Sequence, residues 1–163
     1  MSELVILVVE DEPEVRAAVV RDLAGHFDSI RIDEADDADD AEEALAEARA
    51  AGDAVGLILA DHRLPGRSGV DLLVELHDDP ETRAIRKVLI TGQAGHADTI
   101  RAINDAGLDH YIAKPWEPDE LIRISVDELT DFVIEAELDP LAHMSELDAV
   151  RLAEAYADLG TSE

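Results

Sequence analysis

Leu4-Val5-Ile6-Leu7-Val8-Val9-Glu10-Asp11-Glu12-Pro13 decides the fold: six apolar residues run unbroken into an acidic triplet and a proline. A half-buried strand alternates polar and apolar residues, whereas a strand covered on both faces reads as a continuous apolar run. Pro13 has no N–H to lose in a first helical turn, so a helix carrying Val15, Val19, Val20 and Leu23 starts there and stops at Gly25. The same grammar recurs downstream. Val55–Ala60, Val88–Ile90 and Tyr111–Ala113 are short apolar runs that end at Asp61, Thr91 and Lys114. A more polar strand around Ile30 and Ile32 fits a sheet edge, and the block Asp33–Asp40 reads as a solvated loop and helix start.

Helical patterns fill the intervals. Residues 38–51 form an Ala/Glu-rich helix ended by Gly52, and Val70, Leu72, Leu73 and Leu76 mark another after Gly69. Ile100 and Ile103 belong to a helix closing at Gly107, and a fifth begins near Glu117. Strands alternating with helices predict an α/β fold, with a doubly wound five-stranded parallel sheet. In such sheets ligands bind outside the carboxyl ends of the strands. Asp11, Asp61, Thr91 and Lys114 therefore converge on one edge, a set suited to a divalent cation and a phosphoryl group.

Composition narrows the function. The 163 residues include forty acids and thirteen bases, for a formal charge of −27. Nucleic acid is excluded as a direct partner, because phosphate-backbone affinity needs clustered Lys and Arg. An anionic membrane surface is disfavoured on the same ground. There is no cysteine, which removes disulfides and thiol chemistry. No apolar stretch approaches the roughly 20 residues that span a bilayer. Met1-Ser2-Glu3 lacks the basic flank of a signal peptide, so a cytoplasmic protein is expected.

Four motifs together resemble one family, the receiver domain of two-component response regulators. They are Val8-Val9-Glu10-Asp11-Glu12, Leu59-Ala60-Asp61-His62-Arg63-Leu64-Pro65 with Gly69, Leu89-Ile90-Thr91-Gly92, and Tyr111-Ile112-Ala113-Lys114-Pro115-Trp116. The resemblance covers residues 3–124 and implies a flavodoxin-like strand order, 2-1-3-4-5. It divides the chain into a receiver domain, residues 1–124, and an acidic helical extension, residues 125–163.

The resemblance also implies roles. Asp61 is the phosphorylation site, taking a phosphoryl group from a histidine kinase or a histidine phosphotransfer protein. Mg²⁺ (or Mn²⁺) is bound by Asp11, Asp61 and the Arg63 backbone carbonyl, with Glu10 acting through water. Glu10 departs from the family, where Asp is commoner. Lys114 pairs with the phosphoryl group, Thr91 hydrogen-bonds it, and Tyr111 changes rotamer with Thr91, although Tyr111 has an equal reading as a packing residue. Pro115 follows a cis bond by analogy, and Arg63 and Gln93 occupy positions that tune the acyl-phosphate lifetime. Gly69 serves the entry into the third helix. His62 reads as a surface loop residue, since nothing near it in sequence orients its ring.

From Ser125 onward there are eleven acids and one base, Arg151. Leu129, Phe132 and Val133 lengthen the fifth helix to a break at Asp139-Pro140. Leu141, Met144, Leu147, Val150, Ala153 and Tyr156 then recur mainly at threes and fours, with Ser145 and Asp148 spaced as a capping box. This extension has no DNA-binding pattern. It reads equally as a cover for the domain or as an interaction element. A homodimer through the fourth helix, fifth strand and fifth helix, or through the extension, fits the resemblance, as does a downstream effector protein. The competing function is a pseudo-receiver, a phosphorylation-independent interaction module acting through the acidic tail. A phosphohydrolase is disfavoured, because Asp61-His62-Arg63 stands where an Asp-x-Asp nucleophile motif would be.

Overall fold

Successive side chains of a strand point to opposite faces, so an unbroken apolar run feeds two cores at once. In the computed structural model, which describes residues 2–92 and 95–161, five strands form one sheet and the three central ones do this. The five strands are β1 (Leu4–Val9), β2 (Arg31–Ala35), β3 (Ala54–Ala60), β4 (Arg86–Thr91) and β5 (His110–Ala113). Between them run α1 (Pro13–Ala24), α2 (Ala38–Ala50), α3 (Gly69–Asp78) and α4 (His96–Asp105); α5 (Pro118–Glu135) and α6 (Ala149–Thr161) follow. Leu4, Ile6, Val8, Leu57, Leu59, Val88 and Ile90 turn to one core, built with α1 and α5. Leu7, Val9, Ile58, Ala60 and Leu89 turn to the other, built with α2, α3 and α4.

All pairings are parallel, in the order β2-β1-β3-β4-β5. This is the doubly wound, flavodoxin-like sheet that the sequence predicts. Strand order reverses between β1 and β3, which opens a crevice at their carboxyl ends. Asp11 and Asp61 stand there, and the Asp61 N–H donates to the Val9 carbonyl at 3.0 Å.

Two local expectations are corrected. The edge strand extends through Asp33, Glu34 and Ala35, pairing Val5 with Arg31 through to Val9 with Ala35, so the acidic block begins inside a strand. An edge strand tolerates outward charge, and Arg31 neutralises it by binding Asp33, Asp53 and Glu3. The last helix is not opened by a Ser145–Asp148 box. It begins at Ala149, and Asp148 itself caps it, accepting from the Arg151 N–H at 3.2 Å. Turns occupy residues 140–146, because Glu146 is drawn to the α1–β2 turn and Leu147 into the core.

The extension is built onto the sheet's α1/α5 core. Helix α5 runs unbroken past residue 124, and Gly56 in β3 leaves room for Phe132: a Cβ there would lie 2.8 Å from the ring. Leu147 and Leu152 are buried in the same core. Glu146 accepts hydrogen bonds from the Asp28 and Ser29 N–H groups and the Ser29 hydroxyl, and Arg151 pairs with Asp131.

Candidate functional site

The site is assembled from strand ends. Glu10 and Asp11 follow β1, Asp61 follows β3, Thr91 ends β4 and Lys114 follows β5. One oxygen each from Glu10, Asp11 and Asp61 lie within 4.8 Å of one another. Asp61 is 4 % exposed and Glu10 2 % exposed, whereas Asp11 is open to solvent. The Lys114 Nζ reaches into this group, 2.5 Å from Glu10 Oε1 and 3.3 Å from Asp61 Oδ2. The peptide after it, Lys114–Pro115, is cis.

Three close carboxylates cannot all ionise cheaply away from water. Burial and the neighbouring Asp61 push Glu10 up to about 7, against the opposing pull of Lys114. Asp61 moves the other way. Burial opposes its charge, but hydrogen bonds from Glu10 and Thr91 and the Lys114 ammonium hold it below the ordinary carboxylate range. Burial thus favours the neutral form of Glu10, while the groups around Asp61 favour its charged form. Lys114 is raised: burial works against its charge, and Glu10 and Asp61 overcome it.

Glu10 Oε2 is buried without a hydrogen-bond partner among the described residues. An orphaned buried acceptor beside two further carboxylates fits a small hard cation, and Mg²⁺ takes oxygen ligands of this kind. Arg63 lies in the β3–α3 loop and lines the open cleft above the acids, a space of about 630 Å³ shared with Asp11, His62, Ser68, Gly95 and Asp98.

Gly69 has a sharper reason than loop entry. A Cβ there would sit 2.0 Å from the Asp61 carbonyl oxygen. Its N–H donates to the His62 carbonyl at 2.9 Å, and Ser68 and Asp71 form a capping box at the start of α3. The β3–α3 loop is pinned by these contacts.

Thr91 is buried, with its hydroxyl hydrogen-bonded to Asp61. Tyr111 is half-buried, and its hydroxyl donates to the Thr91 carbonyl at 3.4 Å. Trp116 packs on the α1/α5 core and donates to Asp22 of α1 at 2.8 Å. Gln93 lies outside the described residues.

His62 departs from expectation. It is not a surface residue: its side chain is 15 % exposed, and Asp98 of α4 stands 3.2 Å from its Nε2. Sequence reasoning missed Asp98, since no spacing rule links a loop residue to a helix one α/β unit away. The other lysine, Lys87, is also buried, donating to the Arg83 and Ile85 carbonyls at 3.0 and 2.7 Å.

The sequence profile of the response regulator receiver domain matches residues 6–125. The chain belongs to this family. Among its relatives, the hydrogenase transcriptional regulatory protein HoxA of Cupriavidus necator is 36 % identical over 122 residues, which cover 74 % of this chain and 23 % of HoxA. The phosphate regulon transcriptional regulatory protein PhoB of Escherichia coli is 36 % identical over 150 residues, covering 85 % of this chain and 61 % of PhoB. The chain thus spans less than a quarter of the one relative and about three fifths of the other. A CheY-like receiver domain protein from Methanospirillum hungatei superposes with a TM-score of 0.68 at 25 % identity, over 82 % of this chain and 99 % of that one. A signal receiver domain from Pseudomonas fluorescens gives a TM-score of 0.71 at 24 % identity, over 80 % and 97 %. Receivers act in two-component signalling and bind Mg²⁺ at an acidic pocket, and this receiver has such a pocket in Glu10, Asp11 and Asp61. Among the described residues no helix is long and apolar enough to cross a membrane.

Proposed function

We propose that this receiver accepts a phosphoryl group on Asp61 from a histidine kinase or a histidine phosphotransfer protein. The observation that carries the reading is geometric: the buried Asp61 carboxylate lies 3.3 Å from the Lys114 Nζ, with oxygens of Glu10 and Asp11 within 4.8 Å. An Asp61 oxygen attacks phosphorus, the P–N bond to the donor imidazole breaks with its electron pair going to nitrogen, and an acyl phosphate forms. A carboxylate is a weak nucleophile, so positioning and charge neutralisation supply the rate. Lys114 pairs with one phosphoryl oxygen and the Thr91 hydroxyl donates to another. Asp11, Asp61 and the Arg63 carbonyl would hold Mg²⁺, with Glu10 contributing through water, and the bound ion would neutralise phosphoryl charge.

In this reading residues 1–124 form the acceptor unit and residues 125–163 an acidic extension without a DNA-binding output. Chemistry is confined to the protein's own phosphorylation and dephosphorylation, in the cytoplasm, where ATP-derived phosphodonors are made. Thr91 and Tyr111 are the switch. The Tyr111–Thr91 hydrogen bond supports coupling between the site and the face formed by α4, β5 and α5. Ile100 and Ile103 expose apolar surface on α4, which supports a protein effector or a second copy of the chain there.

Intact mass after incubation with acetyl phosphate and Mg²⁺ tests the reading. One added phosphoryl group on the native chain, absent with chelator and absent in Asp61→Asn, is expected. No addition to a folded native chain would favour the phosphorylation-independent module.

A further inference from the structure

Arg16 is the fourth residue of α1, close to a helix N-terminus, where the dipole disfavours a positive charge. It has no part in the phosphoryl chemistry above, yet its guanidinium is committed on two sides. Nη1 donates to the Glu10 backbone carbonyl at 2.7 Å, and Nε donates to Glu34 Oε1 of β2 at 3.2 Å. Glu34 is 49 % exposed, and an ion pair that open to water contributes little by itself. The informative contact is the one to the carbonyl. Glu10 follows the last residue of β1, where the chain leaves the sheet, and it is buried. Buried backbone groups need partners. The Glu10 N–H finds one in the Ala35 carbonyl at 3.0 Å, and its carbonyl oxygen is met by Arg16. The backbone between β1 and α1 is thus held from β2 on one side and from α1 on the other.

We infer that Arg16 is a positioning residue for the cation site: by gripping the Glu10 carbonyl it sets the turn that presents Asp11 to Asp61. The inference rests on the Mg²⁺ reading of the three acids and adds a residue that aligns them. A peptide group is planar, so the Glu10 carbonyl, the Asp11 N–H and the Asp11 Cα share one plane. Fixing the carbonyl oxygen fixes that plane, and with it the direction in which the Asp11 side chain leaves the backbone. The Glu10 carboxylate is oriented separately, by Lys114. Asp11 is open to solvent, so its aim comes from its backbone rather than from packing. Two effects of Arg16 on a bound cation oppose each other. Its charge repels the ion, whereas its grip on the turn pre-forms the site. Glu34 offsets that charge, and the guanidinium binds backbone rather than a carboxylate of the site, so positioning prevails. Removing Arg16 therefore weakens cation binding, the sign opposite to that of merely deleting a nearby positive charge.

The test measures the Mg²⁺ affinity of the unphosphorylated chain by titration calorimetry, for native protein, Arg16→Ala, Arg16→Lys and Arg31→Ala. Arg31 binds Glu3, Asp33 and Asp53 from the other end of β2, and its variant controls for the loss of an arginine network. Arg16→Ala is expected to bind Mg²⁺ about tenfold more weakly than the native chain, a loss typical of residues that orient metal ligands. Arg16→Lys keeps the charge but not the fork that serves Glu34 and the carbonyl together, so its affinity should fall between those two. Arg31→Ala should melt lower in chelator yet bind Mg²⁺ with native affinity, which separates positioning from general destabilisation. Native or tighter binding by Arg16→Ala would overturn the inference, as would an equal weakening in Arg31→Ala. If the alanine variant does not fold, native affinity in Arg16→Lys overturns it instead. A native chain that binds no Mg²⁺ would overturn the cation reading itself, and the role of Arg16 with it.

Discussion

The Lys114 ammonium bridges Glu10 and Asp61, at 2.5 Å from Glu10 Oε1 and 3.3 Å from Asp61 Oδ2, although the three residues follow three different strands. A single cation thus holds together two buried acids. Lys114→Ala leaves both without it, and unsatisfied buried acceptors cost about 1–3 kcal/mol each. In chelator the variant should melt below the native protein, and added Mg²⁺ should restore more stability to it than to the native chain. Equal Mg²⁺ responses in the two proteins would contradict the bridging role.

Glu10 makes stability depend on pH with a definite sign. Its folded value, about 7, lies above its ordinary 4.5. In that window the folded protein holds a proton that the unfolded chain has released, so metal-free stability falls as pH rises from the lower value and levels off above the upper one. A cation competes with that proton. The rise in melting temperature on adding Mg²⁺ should therefore be small near about pH 5.5 and larger near about pH 8. Glu10→Gln should flatten the metal-free profile, and an unchanged profile in that variant would assign the proton elsewhere.

Gly69→Ala probes the backbone beneath Asp61. The new methyl would meet the Asp61 carbonyl at 2.0 Å, and backbone cannot yield as a flexible side chain does. Overpacking of this kind costs about 1–3 kcal/mol. Denaturant unfolding should show at least that loss, with weaker Mg²⁺ binding, because the displaced loop carries Asp61 and Arg63.

Leu152→Ala tests whether the extension folds with the sheet. Leu152 is fully buried in the α1/α5 core, and removing such a side chain costs about 2–5 kcal/mol. One cooperative transition at lower denaturant is expected. Two separable transitions would show that α6 unfolds independently.

Much of this molecule is legible in its sequence, for a physical reason. Strands covered on both faces write themselves as uninterrupted apolar runs, so β1 and β3 are found within a residue of their bounds, and the acids that follow them fall at the crevice by topology alone. The edge strand was shorter in expectation because an edge permits Asp33 and Glu34 to face outward, and charge then imitates a loop. The helix start at Ala149 was hidden because Glu146 binds a turn more than a hundred residues earlier, which no local capping rule reports. The His62–Asp98 contact is likewise purely tertiary. Lys87 sits inside the β4 run; burial lowers it to about 8, and two carbonyls hold its ammonium, an arrangement visible only once the strand's start is placed.

Phosphorylation of Asp61 is tested most directly by locating the acyl phosphate chemically. Protein loaded with acetyl phosphate and Mg²⁺ is reduced with borohydride, which converts a phosphorylated aspartate to homoserine, and its peptides are sequenced by mass spectrometry. Homoserine at position 61 alone, and none in a chelator control, is the expected result. Homoserine at position 11 or elsewhere, or none anywhere in a folded and loaded sample, would contradict the assignment of Asp61 as the acceptor.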